Sequence, residues 1–300
     1  MSASFIQKWG PGCIILSYLA GHWILGGLRG DHFLISSAVA GLYYLGHKSQ
    51  NLLRFLMPLF LVLIVYDSQQ YFASYVRAPV HIRGPYELEM MLFGVGEITP
   101  ARWLQSHTHP LLDGITGLAY LCFVPAYVLM AGYLYFYLPF RLRGSALEVR
   151  YRWIGHVMMQ AFMYLTLTGY ATHLIFPAAP PWYVDLYGFE FFPDVPAEAA
   201  GAVRFDLLVG LPVFEAYYAK STNVFGAIPS LHCGQTFLAM WFAFMAKKMR
   251  IANGLLFTAV LFGSVYLNHH YIIDGLLGVL FAAIVGLFVL RLMKRKAFIV

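Results

Sequence analysis

Long apolar stretches alternate with short polar ones along most of this chain. Eight of the apolar stretches approach the roughly 20 residues that a helix needs to cross the hydrocarbon core of a bilayer. Their approximate limits are 12–28, 32–47, 51–67, 115–140, 153–176, 231–247, 251–268 and 271–291. The pattern therefore predicts an all-α fold, a polytopic membrane bundle of about eight transmembrane helices.

The stretch 68–114 interrupts this pattern because charged residues and prolines are spread through it. We predict that it does not cross the membrane and that its apolar residues 90–93 lie in the interface. It divides the chain into an N-terminal part, residues 1–114, which combines membrane helices with the interfacial segment, and a membrane core, residues 115–300.

Composition agrees with a membrane protein. Hydrophobic residues make up 60% of the chain and charged residues 11%, against roughly a quarter charged in soluble domains, and the mean hydropathy is +0.66. The three cysteines form no CxxC pair, so the sequence gives little support to a disulfide or a zinc site.

The basic residues indicate how the chain is oriented. If the N-terminus is inside and each of the eight stretches crosses the membrane, the polar connections alternate between the two sides. This places 14 of the 20 Lys and Arg residues on the cytoplasmic side and 6 on the other. The net charge of +6 thus reflects membrane orientation and contact with anionic lipid, and no nucleic-acid partner is expected. Both termini are predicted to be cytoplasmic.

Two short motifs carry the candidate chemistry. Pro229-Ser230-Leu231-His232 places a histidine at the start of the sixth stretch, and His270-Tyr271-Ile272-Ile273-Asp274 places a carboxylate four residues after a histidine, on the same helical face. The predicted topology brings both to the non-cytoplasmic side. A histidine backed by a carboxylate can act as a nucleophile or base, and the second histidine can act as its acid partner.

These residues carry a resemblance to a known family. Phe225–His232 and Tyr266–Asp274 resemble the second and third motifs of the type-2 phosphatidic-acid phosphatase superfamily, and the variant Pro-Ser-Leu-His with Tyr-Leu-x-His-His-Tyr-x-x-Asp is similar to its inositol phosphorylceramide synthase branch. Ala179–Tyr183 resembles another stretch of that branch. The chain departs from the phosphatase pattern at Gly263 and Ser264, where that pattern has Ser-Arg, and it has no Lys-x6-Arg-Pro motif.

The resemblance implies catalytic roles for three residues. His270 would attack phosphorus to form a phosphohistidine, Asp274 would accept the other imidazole N–H, and His232 would protonate the departing alkoxide. Candidate substrate-binding residues are Ser230, Lys220, Arg204 and Tyr183. No metal or other cofactor is expected.

Structural rather than catalytic roles remain open for several of these residues. A single histidine at a helix end is often structural, Arg204 and Lys220 can be solvated loop charges, and Pro180–Tyr183 can be an interfacial anchor. His269 points about 100° away from His270 on a helix and is expected to be structural. A zinc site formed by His232, His269 and His270 is the least favoured alternative, because adjacent histidines seldom converge on one ion.

Three functions compete at this stage. The first is a phosphotransferase that moves a phosphorylated headgroup, plausibly phosphoinositol from phosphatidylinositol, onto a lipid alcohol such as ceramide. The second is a lipid-phosphate phosphatase, and the third a transporter with a histidine proton relay. The chain lacks two phosphate-binding arginines of the phosphatase pattern. This loss favours the first function, because its phosphodiester substrate carries only one negative charge. A bacterial inner membrane is favoured over an organelle, with the site on its periplasmic or lumenal side, and the need for an accessory subunit is open.

Overall fold

The computed structural model describes residues 3–221 and 223–297. Within those residues the protein is all-helical, and extended backbone occurs as isolated bridges rather than as strands. The chain forms two compact units, Met1–Phe72 and Ala73–Val300. The second unit contains nearly all of the segment that the sequence places in the interface.

The N-terminal unit is built from α1 (Ala3–Leu25), α2 (Gly30–Tyr44) and α3 (His47–Val76), whose last residues extend into the second unit. The third apolar stretch was expected to end near residue 67, but the helix continues to Val76. Polar side chains such as Asp67 and Gln70 do not end a helix when their backbone N–H and C=O groups keep their partners.

The second unit contains the remaining helices. In chain order they are α4 (Arg83–Phe93), α5 (Pro100–Gln105), α6 (Pro110–Gly132), α7 (Leu138–Arg141), α8 (Ala146–Ile175), α9 (Pro181–Tyr187), α10 (Val203–Val209), α11 (Val213–Tyr218), α12 (Leu231–Ala246), α13 (Arg250–Tyr266) and α14 (Ile272–Ala297). A π-helical turn, Tyr133–Tyr137, joins α6 to α7 without a break.

A helix occupies each of the eight predicted apolar stretches. By length and composition, three helical segments of the described chain are able to cross a membrane: His47–Phe72, Pro110–Arg141 and Ile272–Lys294. The prediction of a helical membrane protein is confirmed at this level. The number of helices that cross is a finer question, to which we return below.

The core of the second unit is arranged around α12, which packs against α6, α8, α13 and α14. It comes close to α14, where a Cβ atom at Gly278 would overlap the carbonyl oxygen of Ser230. The Ser230 N–H also donates to the carbonyl oxygen of Asp274 at 3.1 Å. The beginnings of α12 and α14 are thus joined through their main chains.

Extended segments cover this end of the bundle. The backbone of Ala178 bridges in parallel to His81 on one side and to Gly226 on the other. Two of the hydrogen bonds involved are Ala178 N to Phe225 O, at 2.9 Å, and Ala179 N to His81 O, at 3.0 Å. The connection between α8 and α12 is therefore fixed directly above the start of α12.

Candidate active site

His232 lies in the first turn of α12. Ser230 is the N-cap residue of that helix, and its side-chain oxygen accepts a hydrogen bond from the backbone N–H of Cys233, as N-cap serines commonly do. The peptide bond between Ile228 and Pro229 is cis. The motif that ends in His232 is therefore a helix start, as the sequence suggests.

His270 lies in the connection between α13 and α14. The backbone N–H groups of His269 and His270 both donate to the carbonyl oxygen of Ser264, at 3.1 Å and 2.9 Å. Their imidazole rings leave this turn in different directions. Both rings are almost fully buried.

The two catalytic candidates face each other. Nε2 of His270 lies 3.2 Å from Nδ1 of His232, and Nδ1 of His270 lies 3.1 Å from the carbonyl oxygen of Ala227. Because a carbonyl oxygen only accepts, Nδ1 of His270 carries the proton in the neutral ring and Nε2 carries the lone pair. His232 then donates from Nδ1 to Nε2 of His270. The arrangement leaves a nucleophilic nitrogen beside an N–H donor.

Asp274 lies in the first turn of α14 and is fully buried. One carboxylate oxygen is 3.5 Å from Nδ1 of His270 and accepts the backbone N–H of Tyr271 at 2.9 Å. The structure therefore brings the predicted trio together. The Ala227 carbonyl, which the sequence gave no reason to consider, is nevertheless the nearer acceptor for the His270 proton.

Glu89 is a site residue that the sequence analysis missed. It comes from α4, in the predicted interfacial segment, and is completely buried. Its two carboxylate oxygens accept the backbone N–H groups of Ile272 and Ile273, at 3.0 Å and 3.2 Å. Glu89 thus caps the helix that carries Asp274. Its isolated place in an amphipathic segment, 183 residues before that helix, gave no signal of this pairing.

A cavity with about 420 Å³ of empty space opens beside the histidine pair. Part of this space is open to solvent. Its polar lining includes three neighbouring histidines and four residues of the connection between α8 and α12: His232, His269, His270, Glu198, Tyr218, Ser221 and Asn223. Pro180 and Trp182 of the predicted outer stretch also line it.

The four candidate substrate-binding residues lie mostly away from this cavity. Ser230 is fully buried and caps α12, and Tyr183 is fully buried, donating to the carbonyl oxygen of Glu190 and accepting from the N–H of Phe192. Arg204 donates to Asp113 at 2.6 Å and to Gln105 at 2.8 Å. Lys220 is exposed and precedes a lining residue in sequence.

Position 264 also has a structural role. The Ser264 side chain is fully buried and donates to the carbonyl oxygen of Leu261 at 2.8 Å. It does not contribute to the cavity lining, so an arginine there would have no direct route to a phosphate in the described geometry.

Among the described residues, one group of side chains has donor atoms close enough together to bind a metal ion. It consists of His22, His32 and Asp67, in the N-terminal unit. The cavity histidines are not in such a group. Asp67 is already paired with Arg29, and Nε2 of His32 lies 3.0 Å from Asp67. Nδ1 of His32 accepts the N–H of Arg29 at 3.2 Å, which places its proton on Nε2. This donor set is satisfied by hydrogen bonds rather than poised for an ion.

Comparison with known proteins gives a consistent picture. The sequence profile of the PAP2 superfamily matches residues 88–288. The phosphoinositol dihydroceramide synthase of Bacteroides thetaiotaomicron is 34% identical over 287 residues, covering 91% of this chain and 88% of that protein. The catalytic subunit of inositol phosphorylceramide synthase from Saccharomyces cerevisiae is 28% identical over 226 residues, covering 74% of this chain and 52% of that protein. No solved structure matches the chain.

Proposed function

The chain belongs to the PAP2 superfamily, and on that premise we propose that it is a membrane transferase that moves phosphoinositol from phosphatidylinositol onto a ceramide-type lipid alcohol. The main support is the facing pair of imidazoles at 3.2 Å, buried beside a cavity. Relatives named for phosphoinositol transfer to ceramides support the choice of substrates.

The reaction divides into two displacements at phosphorus. Nε2 of His270 attacks the phosphorus of the donor lipid, and the bond from phosphorus to the diacylglycerol oxygen breaks with its electron pair. His232 acts as the acid in its imidazolium form, with protons on both ring nitrogens: it gives its Nδ1 proton to that oxygen and is left as a neutral imidazole. The acceptor hydroxyl then gives its proton back to His232 and attacks phosphorus, and the P–N bond breaks with its pair returning to His270.

The hydrogen bond between the imidazoles has to open during this cycle. At 3.2 Å the two nitrogens are in direct contact, with no space for a phosphoryl group between them. Substrate binding therefore replaces the His232–His270 bond with contacts to phosphorus and to the leaving oxygen. Asp274 and the Ala227 carbonyl keep Nδ1 of His270 protonated and stabilise the positive charge that its ring acquires.

We further propose that all eight long helices cross the membrane, with the cavity on the non-cytoplasmic side. The charge asymmetry of 14 to 6 supports this orientation. The lipid tails of donor and acceptor then remain in the bilayer, and the polar headgroup enters the cavity. The proposed chemistry uses side chains alone and calls for no metal ion.

Incubation of the purified protein with phosphatidylinositol labelled in its headgroup, with and without ceramide, tests the proposal. Labelled phosphoinositol ceramide should form when ceramide is present, and its formation should be lost in His270→Ala. Release of free inositol phosphate regardless of ceramide would assign the protein to the phosphatases of the family instead. The absence of both products would overturn the transferase proposal.

A further inference from the structure

The cavity contains hydrogen-bond acceptors but no cation among the side chains that line it in the described chain. A site that handled only a phosphate would be expected to offer Lys or Arg. Here the side chains next to the histidine pair include a carboxylate, Glu198, and a third imidazole, His269. Neither has a role in the reaction described above.

His269 is held rigidly in one orientation. Its ring stacks on Tyr218, with centroids 4.7 Å apart and planes 11° from parallel, and Tyr120 lies on a parallel plane at 6.0 Å. The ring also hydrogen-bonds to the backbone of Ala199, and Nε2 is buried without a hydrogen-bond partner in the described structure.

The protonation of the His269 ring follows from these contacts. Since the Ala199 carbonyl can only accept, the nitrogen facing it carries the proton, and the lone pair is on Nε2. Burial lowers the pKa of His269 well below its ordinary value, which keeps the ring neutral. A buried polar atom without a hydrogen-bond partner is unfavourable, so Nε2 is suited to a hydrogen-bond donor that arrives with a ligand.

Glu198 presents the same kind of chemistry. Its side chain is partly buried at the cavity wall and makes no hydrogen bond or ion pair with the residues that the structure describes. A carboxylate repels a phosphate but accepts hydrogen bonds from hydroxyl groups. The cavity thus joins a reacting end, at His232 and His270, to a wall that accepts hydrogen bonds.

We propose that His269 and Glu198 form a polyol subsite, in which both accept hydrogen bonds from hydroxyls of the donor headgroup. The proposal deepens the function proposed above and rests on it. A quaternary ammonium headgroup would suit Glu198 and the neighbouring aromatic rings, but it has no proton to offer Nε2 of His269. The unpaired imidazole nitrogen therefore favours a hydroxylated headgroup.

The test uses the full-length protein with His269→Phe, which keeps an aromatic ring against Tyr218, and Glu198→Gln, which keeps the size of the side chain. Each variant should raise KM for phosphatidylinositol about 10-fold with kcat little changed, because a contact to a non-reacting group binds ground state and transition state alike. Glu190→Gln is the matched control, an exposed glutamate of the same outer connection outside the cavity lining, and should leave KM unchanged.

A binding measurement separates failure of this subsite from failure of the proposed function. The unmutated protein in detergent should bind myo-inositol 1-phosphate more tightly than inorganic phosphate, and both variants should lose most of that difference. This readout needs no turnover, and it remains informative if phosphoinositol transfer is not observed. His269→Leu, which also lacks an acceptor, provides a second variant if His269→Phe does not fold.

Equal binding of the two anions by the unmutated protein would overturn the polyol subsite. So would variants that keep the wild-type preference for the inositol phosphate. A preference for phosphocholine over myo-inositol 1-phosphate would overturn it in favour of a cationic headgroup.

Discussion

At the scale of single residues, the reactivity of the site depends on where one proton lies. The Ala227 carbonyl, at 3.1 Å, and the Asp274 carboxylate, at 3.5 Å, both face Nδ1 of His270. With two acceptors on that side, the lone pair is kept on the nitrogen that faces the cavity. The carbonyl alone is able to hold this tautomer, and the carboxylate adds the charge that stabilises an imidazolium.

The first prediction follows from these separate roles of the Ala227 carbonyl and the Asp274 carboxylate. His270→Ala and His232→Ala should each abolish transfer, whereas Asp274→Asn should lower kcat by orders of magnitude without abolishing it, because Ala227 still fixes the tautomer. Single-turnover assays on folded, membrane-inserted variants would measure this. Near-normal transfer by either alanine variant would contradict the mechanism.

The second prediction concerns pH. Burial lowers the pKa of His270 from its ordinary 6.5 to about 4, and only the neutral ring is nucleophilic. The acid limb of kcat/KM that reports this residue should therefore lie below pH 6 rather than near 6.5. The same shift makes folding stability rise with pH between about 4 and 6.5, because the unfolded chain binds the proton more tightly. An acid limb at 6.5 would mean that His270 is solvated in the working enzyme.

Residue identities were predictable only where a motif carried them. His232, His270 and Asp274 were identified from two short motifs, and the structure brings them together. Arg204 and Tyr183 were chosen because their side chains suit a phosphate or a headgroup, but sequence does not reveal that each already has internal partners. His269 was expected to be structural because it points about 100° away from His270 on a helix, and the sequence gives no information about its unpaired nitrogen.

At the scale of secondary-structure elements, the start of α14 is the critical feature. Glu89 binds the N–H groups of the first two residues of this helix, and Asp274 binds the N–H of Tyr271, the residue just before the helix. A helix N-terminus stabilises negative charge, which explains how two carboxylates are accommodated in so small a volume. Glu89 is outside the helices proposed to cross the membrane, and burial raises its pKa.

The third prediction is that Glu89 positions this helix. Glu89→Gln leaves one N–H of α14 without a good acceptor, so we expect a loss of about 2 kcal/mol of stability and a drop in kcat of about 10-fold as Asp274 and His270 lose their register. Glu87→Gln, at an exposed position of the same helix, is the matched control. Thermal unfolding and kinetics of both variants would check this, and equal behaviour of the two would remove Glu89 from the site.

The fourth prediction concerns the contact between α12 and α14. Gly278→Ala would push its Cβ into the Ser230 carbonyl and force the two helix starts apart, so transfer should fall at least 10-fold with a clear loss of thermal stability. Gly254→Ala on α13 has open space and should be neutral or slightly stabilising. If Gly278→Ala were as active as Gly254→Ala, the close packing would not set the histidine distance.

The helices themselves were largely predictable, because the apolar stretches are long and their polar breaks are sharp. The end of α3 was not predictable, since charged residues such as Asp67 are tolerated in a helix whose backbone groups stay paired. The pairing of α4 with the start of α14 also could not be derived. In this pairing the Glu89 carboxylate binds the backbone N–H groups of Ile272 and Ile273, which lie 183 and 184 positions later in the sequence.

At the scale of the whole molecule, the sidedness of the membrane decides which substrates the cavity meets. The outer connection between α8 and α12 supplies Glu198, Tyr218, Ser221 and Asn223 to the cavity wall. The turn between α7 and α8 carries Arg143, and Arg141 and Arg150 flank it, at the other end of α8. The proposed orientation therefore determines the leaflet from which the proposed donor lipid enters.

The fifth prediction tests this orientation. In a Cys13→Ser, Cys122→Ser background, a membrane-impermeant thiol reagent applied to intact cells should label Asp194→Cys and leave Arg143→Cys unlabelled until the membrane is permeabilised. Both positions are exposed, and the remaining Cys233 is buried. The reverse pattern would place the cavity in the cytoplasm.

The main-chain bonds that fix the reacting groups have a further consequence. The hydrogen bond from Ser230 to Asp274 and those from the His269 and His270 N–H groups to Ser264 O join the helices that carry the candidate trio through their main chains. Apart from the histidines, in contrast, the cavity is lined by residues of the long connection between α8 and α12. Substitutions in that connection can therefore change which headgroup the cavity accepts while the reacting histidines keep their positions.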